Sequence, residues 1–293
     1  ETPQGILALN ALIYINLFAL LPLIFYAMYR ARRYKMARTR WRGVRFGMEK
    51  GAWGFAARAI GYGLLTLVSF GALFPLGNFK LEKYMADRSY FGDARFEQGG
   101  KWTALYGAAK HVFIGLGVLI AGVAIGGAAQ SEALMGIAVL VGYIWLMIGF
   151  VYYRVHSFRY MAENRMLGDQ ITFTATPTTG EVIKIYIIGA LIMAVVVAVL
   201  VFIGGLLFGA VMSMAGIGNM GLVGVLGVVL YLIALVLLGA MALVFITQPT
   251  IAHFITNFTV HNADALNDIQ QRAMETGVDA EGFADALDIG GAI

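Results

Sequence analysis

Residues 82–96 read EKYMADRSYFGDARF, and much of this stretch returns at residues 159–173 as RYMAENRMLGDQITF. At an offset of 76 residues the gapless identities pair Tyr84, Met85, Ala86, Gly92 and Asp93 with Tyr160, Met161, Ala162, Gly168 and Asp169. An offset of 50 residues relates residues 34–46 to the same stretch and pairs Tyr34, Arg38, Thr39, Trp41, Arg45 and Phe46 with Tyr84, Arg88, Ser89, Phe91, Arg95 and Phe96. We call residues 34–46, 84–96 and 160–173 cassettes; a weak fourth copy covers residues 254–262. Their recurrence predicts an internal repeat of membrane helix, basic exit and cassette.

The composition of the chain is that of a membrane protein. Of its 293 residues, 60% are hydrophobic and only 13% are charged, and the mean hydropathy is +0.77. A soluble core of this size does not need such a composition. A helix crosses a hydrocarbon layer of about 30 Å with roughly 20 mostly apolar residues. Apolar runs that are bounded by charge occupy residues 6–29, 112–125 with a lead-in from 102, 134–153, 183–208 and 222–247.

A sixth apolar stretch, residues 52–79, is interrupted by Gly71, Pro75 and Gly77. Proline removes a helical hydrogen bond and glycine weakens a helix. The stretch is therefore either one kinked span or a shallow hairpin that enters the bilayer and returns, and we favour the hairpin.

The distribution of cations predicts the topology. Eight Lys and Arg residues lie between positions 30 and 45, after the first apolar run. A signal peptide carries its cations before the apolar region, so we expect the first run to be a retained anchor with this flank in the cytoplasm. Residues 102–153 and 183–247 each read as two helices joined by a short turn, which returns the chain to the side it left. The cassettes and the C-terminus therefore share one side, which we expect to be cytoplasmic.

Within each cassette, aromatic and polar residues alternate around a central glycine, as at Trp41 and Gly43 or at Tyr90 and Gly92. This pattern predicts a tight two-stranded ribbon. Because an isolated ribbon is marginal in water, we expect the copies to pack on one another or on the helix ends. The predicted fold is an all-α, multi-pass transmembrane helical bundle with internal repeats and short cytoplasmic β-ribbons. Residues 1–262 form the predicted membrane domain, and residues 263–293 form an acidic, amphipathic C-terminal tail with a helix over 263–276.

The stretch 64–96, LLTLVSFGALFPLGNFKLEKYMADRSYFGDARF, resembles the signature of the YjgN-like family of bacterial inner-membrane proteins, a domain of unknown function. The residues that carry the resemblance are Gly71, Phe74, Pro75, Lys83, Tyr84, Arg95 and Phe96. The resemblance extends over residues 30–260, and the chain departs from it at Leu73 and Leu76, where aromatic residues are usual. It implies a membrane location and this architecture, and it implies no activity and no catalytic residues.

The sequence lacks the residue patterns of the common catalytic and metal centres. It contains no Cys and four His, which excludes thiolate catalysis and Cys-based metal sites. On a continuous helix His253, Asn257, His261 and Asp264 would share one face. The two imidazoles would then lie about 12 Å apart, too far to share one ion, so we expect an interfacial helix there. The aspartates that follow the cassette glycines suit turn capping better than acid–base catalysis. We predict no enzyme activity, no catalytic or metal site and no cofactor.

The candidate functional residues are cations and aromatics of the cassettes, which suit contact with lipid headgroups or with a partner protein. They are Arg38, Arg40, Trp41, Arg42, Arg45, Tyr84, Arg88, Arg95, Tyr160 and Arg165. The alternative reading is that these residues only anchor the chain at the membrane interface. The net charge of +4 fits an anionic membrane surface, and no aromatic–basic module indicates nucleic acid.

We favour a non-enzymatic inner-membrane scaffold or accessory subunit that contacts membrane lipids or a membrane-protein partner. The alternative is a transporter or channel for a small neutral or lipid-like solute, because broken helices in multi-pass proteins can mark binding sites. The apolar runs contain few ionisable residues of the kind that coupled carriers use. Glycine pairs at Gly122 and Gly126 and at Gly205 and Gly209 predict close helix packing, within the chain in preference to between copies.

Overall fold

The computed structural model of the chain describes residues 3–215 and 220–272. Within these residues the α-helices are α1 Pro3–Arg38, α2 Ala52–Val68, α3 Phe74–Ala86, α4 Leu105–Ala128, α5 Glu132–Glu163, α6 Thr179–Ala215, α7 Met220–Ala242 and α8 Gln248–Thr256. The β-strands are β1 Arg40–Trp41, β2 Val44–Met48, β3 Ser89–Phe91, β4 Ala94–Gln98, β5 Arg165–Leu167, β6 Ile171–Ala175 and β7 Phe258–His261. A π-helical turn, Leu243–Thr247, joins α7 to α8.

The cassettes form one seven-stranded sheet, in the order β1-β2-β3-β4-β5-β6-β7. Each predicted ribbon is present as an antiparallel hairpin, and neighbouring hairpins also pair edge to edge. The chain is mostly helical, as predicted, but the expectation of an all-α fold with short ribbons is corrected in one respect, because the ribbons are joined into a single sheet. The physical reason is that a lone ribbon leaves a row of unpaired backbone groups on each side, and pairing of the edges satisfies most of them.

The chain divides into two compact units. The sheet unit contains the residues up to Lys110, His156–Thr174 and the residues from Thr259 on, and the helical unit contains His111–Val155 and Ala175–Phe258. Four helices are long and apolar enough to cross a membrane, as far as the described residues show: Trp102–Ala128, Glu132–Glu163, Thr179–Ser213 and Gly227–Thr256. These helices indicate a membrane protein and coincide with four of the predicted runs. The remaining predicted run, residues 6–29, lies within α1.

Residues 52–79 lie in a helical hairpin whose two ends meet at the sheet. Helix α2 ends near Gly71, which has φ +87° and whose N–H donates to the Thr66 carbonyl at 2.7 Å. Pro75 then stands in the first turn of α3, so glycine lies just past one helix and proline just inside the next, as expected for a helix end and a helix start. Because β2 pairs with β3, the chain returns to the sheet it left.

Two apolar clusters stabilise the sheet unit. One lies among α1, β2, α2 and α3, and its buried members are Tyr29, Met48, Ala52, Phe55 and Tyr84. The other lies on the sheet, and its buried members are Phe91, Leu167, Ile171 and Phe173. Aromatic rings pack closely within each cluster. The ring centroids of Tyr29 and Phe55 lie 5.6 Å apart in the first cluster, and those of Phe46 and Phe91 lie 4.5 Å apart in the second. Aromatic pairs at such distances stabilise a core beyond the area that they bury.

In the helical unit, α4 packs closely on α5 through small residues. A Cβ added at Gly122 would lie 2.2 Å from the Ala138 Cβ, and one added at Gly126 would lie 2.7 Å from the Met135 Cβ. This pair is therefore packed within the chain, as predicted. Gly205 and Gly209 of α6 have no heavy atom within 4 Å of such a Cβ among the described residues.

The expected amphipathic helix over residues 263–276 does not form in its described part. A short 3₁₀ turn covers Ala263–Asn267, and chain without regular secondary structure follows to residue 272. Ala265, Leu266 and Ile269 pack on the sheet cluster, and this packing overrides local helix propensity. The rest of the predicted tail, residues 273–293, lies outside the described residues.

Candidate functional site

Each cassette runs from a helix end into a strand that turns at a glycine. Arg42 and Gly43 form the first turn with φ of +49° and +84°, and Gly92 and Gly168 each have φ +57° in the second and third turns. Positive φ suits two-residue hairpin turns and is easiest for glycine. The central glycines of the cassettes are therefore required by the turns.

Two strand pairs join neighbouring cassettes, and we call β2 against β3 the first interface and β4 against β5 the second interface. In the first, Phe46, Gly47 and Met48 face Phe91, Tyr90 and Ser89; in the second, Phe96, Glu97 and Gln98 face Leu167, Met166 and Arg165. Matching backbone hydrogen bonds flank them: Glu49 N–H to Arg88 O and Gly92 N–H to Arg45 O in the first, Gly99 N–H to Asn164 O and Gly168 N–H to Arg95 O in the second. These residues correspond at the two sequence offsets, so both interfaces share one backbone geometry.

Beside each interface, a tyrosine at the end of a helix forms a hydrogen bond with the segment that follows the preceding hairpin. The Tyr84 hydroxyl donates to the Gly51 carbonyl at 3.0 Å. The Tyr160 hydroxyl accepts a hydrogen bond from the Lys101 N–H at 2.6 Å. Tyr84 is buried, and the Arg88 guanidinium lies 3.6 Å from its ring centroid, a cation–π contact. Both predicted tyrosines therefore make internal contacts.

A three-residue ion network lies beside the second interface. Glu82 of α3 accepts from Arg32 Nη1 at 3.3 Å and from Arg165 Nη2 at 3.1 Å. The side chains of Arg32, Glu82 and Arg165 are only 34%, 28% and 24% exposed. Burial alone raises the pKa of Glu82, but the two guanidinium charges outweigh it and hold that pKa below its usual value. The network thus links α1, α3 and β5 through a carboxylate that stays ionised at neutral pH.

Gln98 extends this network into the buried part of the second interface, where it is 1% exposed. Its Nε2 donates to the Met161 carbonyl at 3.0 Å and to the Asn164 carbonyl at 3.3 Å. Its Oε1 accepts from Arg165 Nε at 2.9 Å, and its backbone N–H donates to Asp87 Oδ1 at 2.8 Å. Every polar group of the side chain is therefore used, as a buried amide requires.

The other end of the sheet presents its arginines outward. Arg38 ends α1 with its guanidinium 4.4 Å from the Tyr34 ring centroid, and Arg42 lies 4.4 Å from the Trp41 ring centroid. Arg40 is exposed on β1, which is a terminal strand of the sheet. We call Arg38, Arg40, Trp41 and Arg42 the basic edge. It combines guanidinium donors with amphipathic rings at the end of an apolar helix.

The structure separates the ten predicted contact residues into two groups. The outward group is the basic edge, of which Arg42 also donates to Asn267 Oδ1 at 2.6 Å. The residues engaged inside the sheet unit are Arg45, Tyr84, Arg88, Arg95, Tyr160 and Arg165. Arg95, for example, pairs with Glu49 at 2.6 Å. The ten residues therefore do not form one shared surface.

The sequence reasoning missed Glu82 and Gln98. A signal for them exists in the alignment of the cassettes, because Gln98 and Arg165 stand where the first interface has Met48 and Ser89. When both facing residues of one copy are replaced by longer polar residues in another copy, the two new side chains are expected to contact each other. A carboxylate near the helix end, Glu82, then becomes the natural partner of Arg165.

The histidine stripe does not form, because α8 ends at Thr256. His253 Nε2 accepts the Thr178 N–H at 3.1 Å, and His261 lies on β7 with its Nε2 2.8 Å from Thr174 Oγ1. Among the residues that the structure describes, no group of three or more His, Asp or Glu side chains is placed to hold a metal ion. Local hydrogen bonds therefore account for both imidazoles.

Comparison with protein families places most of the first two-thirds of the chain in a known family. The model of a family described as bacterial protein of unknown function (DUF898) matches residues 3–176, which is more than half of the chain. The chain belongs to this family. DUF898 is the YjgN-like family whose signature the sequence resembles. Comparison with curated proteins and with solved structures gave no match.

The DUF898 match ends one residue after β6. It therefore includes the basic edge, both cassette interfaces and the ion network around Glu82. Helices α6 to α8, strand β7 and the segment after it lie outside the matched residues. The DUF898 description carries no activity.

Proposed function

We propose that this DUF898 protein is a multi-pass protein of the bacterial inner membrane, built from repeated helix and hairpin units, that acts as a non-enzymatic scaffold. Its sheet lies on the cytoplasmic side, and its basic edge binds the anionic headgroups of membrane lipids. The observation that carries the proposal is the basic edge, where α1 ends directly before strand β1 and presents Arg38, Arg40 and Arg42 beside two aromatic rings.

The continuous sheet supports a common side for all cassettes. Strands do not stay hydrogen-bonded to each other across a bilayer, so β1 to β7 share one face of the membrane. Between β4 and β5, and again between β6 and β7, the chain contains two candidate spans. An even number of crossings returns the chain to its starting side. The eight cations between positions 30 and 45 favour the cytoplasm for that side.

The tip of the α2–α3 hairpin supports shallow insertion from the same side. Leu67, Val68 and Phe70 at this tip are 73%, 79% and 90% exposed. Large apolar side chains that are grouped and exposed indicate contact with lipid or protein. Helix α2 is about 25 Å long, which is less than a span requires. The hairpin therefore suits a segment that dips into one leaflet.

The chemistry of the basic edge suits phosphodiester headgroups. A guanidinium offers parallel N–H donors to phosphate oxygens, and tyrosine and tryptophan rings favour the headgroup level. Each Arg near an anionic membrane surface contributes about 1 kcal/mol to binding. Loss of two such charges should therefore weaken binding of an anionic lipid about 25-fold.

Lipid titration of the full chain in mild detergent tests the proposal. Short-chain phosphatidylglycerol and phosphatidylcholine are added to the wild type and to the Arg38→Gln/Arg40→Gln variant, and bound lipid is measured by native mass spectrometry. We expect the wild type to prefer phosphatidylglycerol and the variant to bind it about 25-fold more weakly. The matched control is Arg159→Gln/Lys184→Gln, which removes the same charge from exposed surface pairs elsewhere.

Three outcomes would overturn the lipid assignment. One is equal affinity of the wild type for the two lipids. Another is an equal loss in the basic-edge variant and in the control, which would mean that net charge alone matters. The third is equal competition by inorganic phosphate in solution, which would assign the edge to a free anion instead of a lipid.

A second candidate, transport of a lipid-like solute, is favoured by a cleft in the helical unit. The cleft has a volume of about 280 Å³ and is lined by Leu243, Thr247, Gln248 and Ile251. It lies at the π-helical turn before Pro249, and π-helical turns within α-helices are frequent at functional sites. The polar side chains of Thr247 and Gln248 beside the apolar ones of Leu243 and Ile251 suit an amphipathic guest.

Reconstitution separates the two candidates. Purified protein in proteoliposomes would move a fluorescent short-chain lipid between leaflets if the cleft were part of a transport path, and Gln248→Leu would slow this movement. The scaffold proposal predicts the same rate in protein-containing and protein-free vesicles.

A further inference from the structure

A short C-terminal segment lies across the sheet. Strand β7 ends at His261, and Asn262 then has φ +55°, a left-handed conformation that asparagine tolerates. The 3₁₀ turn Ala263–Asn267 and an irregular stretch to residue 272 follow. We call residues 263–272 the strap. Three apolar side chains of the strap are half-buried against the sheet cluster, namely Ala265, Leu266 and Ile269.

Hydrogen bonds fix the strap to the first two hairpins. The Asp93 N–H donates to the Gln270 carbonyl at 2.9 Å, and the Gln270 N–H donates back to Asp93 Oδ1 at 3.1 Å. The Arg45 N–H donates to Gln271 Oε1 at 2.8 Å. Most other strap side chains are exposed. The strap is therefore held by a few polar contacts and three small apolar anchors, which a competing ligand can displace.

The strap occupies one guanidinium of the basic edge. Arg42 Nη1 donates to Asn267 Oδ1 at 2.6 Å, and Arg272 lies 5.4 Å from the Tyr90 ring centroid. An amide oxygen is a neutral acceptor, whereas a phosphate oxygen accepts a stronger, charge-assisted hydrogen bond from a guanidinium. Asn267 and a lipid phosphate are therefore alternative partners for the same donor.

Two glycines with the same φ differ in whether the strap covers them. Gly92 and Gly168 both have φ +57°. A Cβ added at Gly92 would lie 2.3 Å from the Gln270 carbonyl oxygen, 2.7 Å from the Ile269 Cγ2 and 2.8 Å from the Val44 Cγ1 of the sheet. At Gly168 the nearest atom would be the Ala94 Cβ at 3.7 Å. The strap thus packs on the backbone of the second turn so closely that only glycine fits beneath it.

We infer that the strap regulates lipid binding at the basic edge. This inference rests on the function proposed above. When docked, it holds Arg42 through Asn267; when anionic headgroups bind Arg42, it is released. Two ligands that compete for one group lower each other's binding affinity by the same factor. One Arg near an anionic surface changes affinity about fivefold. Release of the strap should therefore strengthen binding of phosphatidylglycerol about fivefold.

A reversible lock tests the inference in the full chain. Asp93 and Gln270 hydrogen-bond to each other, so a disulfide between these positions would keep the strap docked. The chain has no cysteine of its own, so the Asp93→Cys/Gln270→Cys variant contains a single thiol pair. We expect the oxidised form to bind short-chain phosphatidylglycerol about fivefold more weakly than the reduced form.

The glycine pair supplies a second test without new thiols. Gly92→Ala strains the turn and displaces the strap, whereas Gly168→Ala strains the corresponding turn where no strap lies. We expect Gly92→Ala alone to bind phosphatidylglycerol more tightly than the wild type. Hydrogen exchange at the Arg45 and Asp93 amides, which donate to the strap, should accelerate in Gly92→Ala and in wild type with added phosphatidylglycerol.

The outcomes distinguish this inference from the proposed function. If the wild type prefers phosphatidylglycerol but the oxidised and reduced lock variants bind it equally, the inference fails and the lipid-binding function stands. If lipid leaves exchange at Arg45 and Asp93 unchanged while it binds, the inference fails in the same way. If no form prefers phosphatidylglycerol to phosphatidylcholine, including Gly92→Ala with its strap released, both fail.

Discussion

The two interfaces between cassettes have the same backbone geometry and different contents. At the buried end of the first interface, Met48 faces Ser89 next to the apolar cluster around Tyr29. At the corresponding place in the second interface, Gln98 faces Arg165, and both join the ion network of Glu82. One arrangement of strands thus accepts either an apolar or an ionic filling.

This difference shows which residues determine the arrangement and which only occupy it. Backbone hydrogen bonds, turn glycines and the tyrosines at the helix ends recur in both interfaces, so they set the geometry. The residues between them need only pack closely if they are apolar or form hydrogen bonds if they are polar. The first interface should therefore be sensitive to volume and the second to charge.

The largest effect is expected from Glu82→Gln, which removes the central charge of the second interface. Arg32 and Arg165 would lose their common carboxylate while they remain largely buried. Removal of one partner from a buried ion pair costs about 3–5 kcal/mol, and the partial exposure of these groups reduces the expected loss to about 2–3 kcal/mol. The free energy of unfolding in mild detergent measures it.

The matched control for Glu82→Gln is Glu163→Gln, because Glu163 pairs with Arg159 on an exposed helix face. Surface pairs of this kind contribute about 0–1 kcal/mol. Equal losses in the two variants would show that the ion network is no more important than a surface pair. The ionic reading of the second interface would then be wrong.

Acidification should reproduce this loss in the wild type. The pKa of Glu82 is lowered in the folded protein because the charges of Arg32 and Arg165 outweigh burial. The folded state therefore binds this proton less readily than the unfolded state does. The stabilisation is complete above the unfolded pKa of about 4.3 and is lost as pH falls through the lower folded pKa.

Melting temperatures in detergent at pH values from 7 down to 3 would show this dependence. The gap in stability between the wild type and Glu82→Gln should close as the pH falls below about 4. A gap that stays constant over this range would contradict the assigned ion network. Substitutions in the first interface should leave the pH profile unchanged.

The sequence was sufficient for the local structure of the cassettes and insufficient for their association. Gly43 and Gly92 between alternating residues predict a hairpin because few other residues adopt the turn. That neighbouring hairpins share edges is a long-range property, which no period within a cassette encodes. The same limit applies to Tyr84, whose buried hydroxyl meets Gly51 only after α2 and α3 fold back.

Charge alone also predicts the wrong environment for some arginines. Arg165 and Arg40 look alike in sequence, since each begins or precedes a ribbon next to an apolar helix. Arg40 lies on a terminal strand and is exposed, whereas Arg165 lies on an inner strand beside Glu82 and Gln98. Strand order decides between the two environments, and strand order follows from pairing across more than 60 residues of sequence.

An intermediate effect is expected from Gly47→Val in the first interface. A Cβ at position 47 would lie 2.2 Å from the Tyr90 ring, which covers this glycine from the facing strand. The ring must swing away and lose its packing, so we expect a loss of about 1–2 kcal/mol in unfolding free energy. Glu97 is the corresponding residue of the second interface and is exposed. Glu97→Val should change stability by less than about 0.5 kcal/mol.

The outcome for this pair tests whether the interfaces differ in their sensitivity to volume. If Gly47→Val and Glu97→Val are equally mild, the ring of Tyr90 is free to move and the first interface is not close-packed. A second variant, Gly47→Val/Tyr90→Ser, should recover part of the loss, because it removes the ring that the new side chain meets. Without such recovery the loss would belong to the strand backbone.

The smallest effects are expected from Tyr84→Phe and Tyr160→Phe, which each remove one hydroxyl from the recurring anchors. The Tyr84 hydroxyl donates to the Gly51 carbonyl in a buried setting, and that carbonyl also accepts the Phe55 N–H at 2.9 Å. Loss of the hydroxyl therefore removes one of two hydrogen bonds to this carbonyl and should cost about 1 kcal/mol. The Tyr160 hydroxyl is an acceptor for the Lys101 N–H near solvent, where water can replace it, and about 0.5 kcal/mol is expected. Hydrogen exchange at the Lys101 amide should accelerate in Tyr160→Phe and stay slow in Tyr84→Phe. An acceleration in both variants would mean that the two anchors are coupled, and the interfaces would then open as one unit.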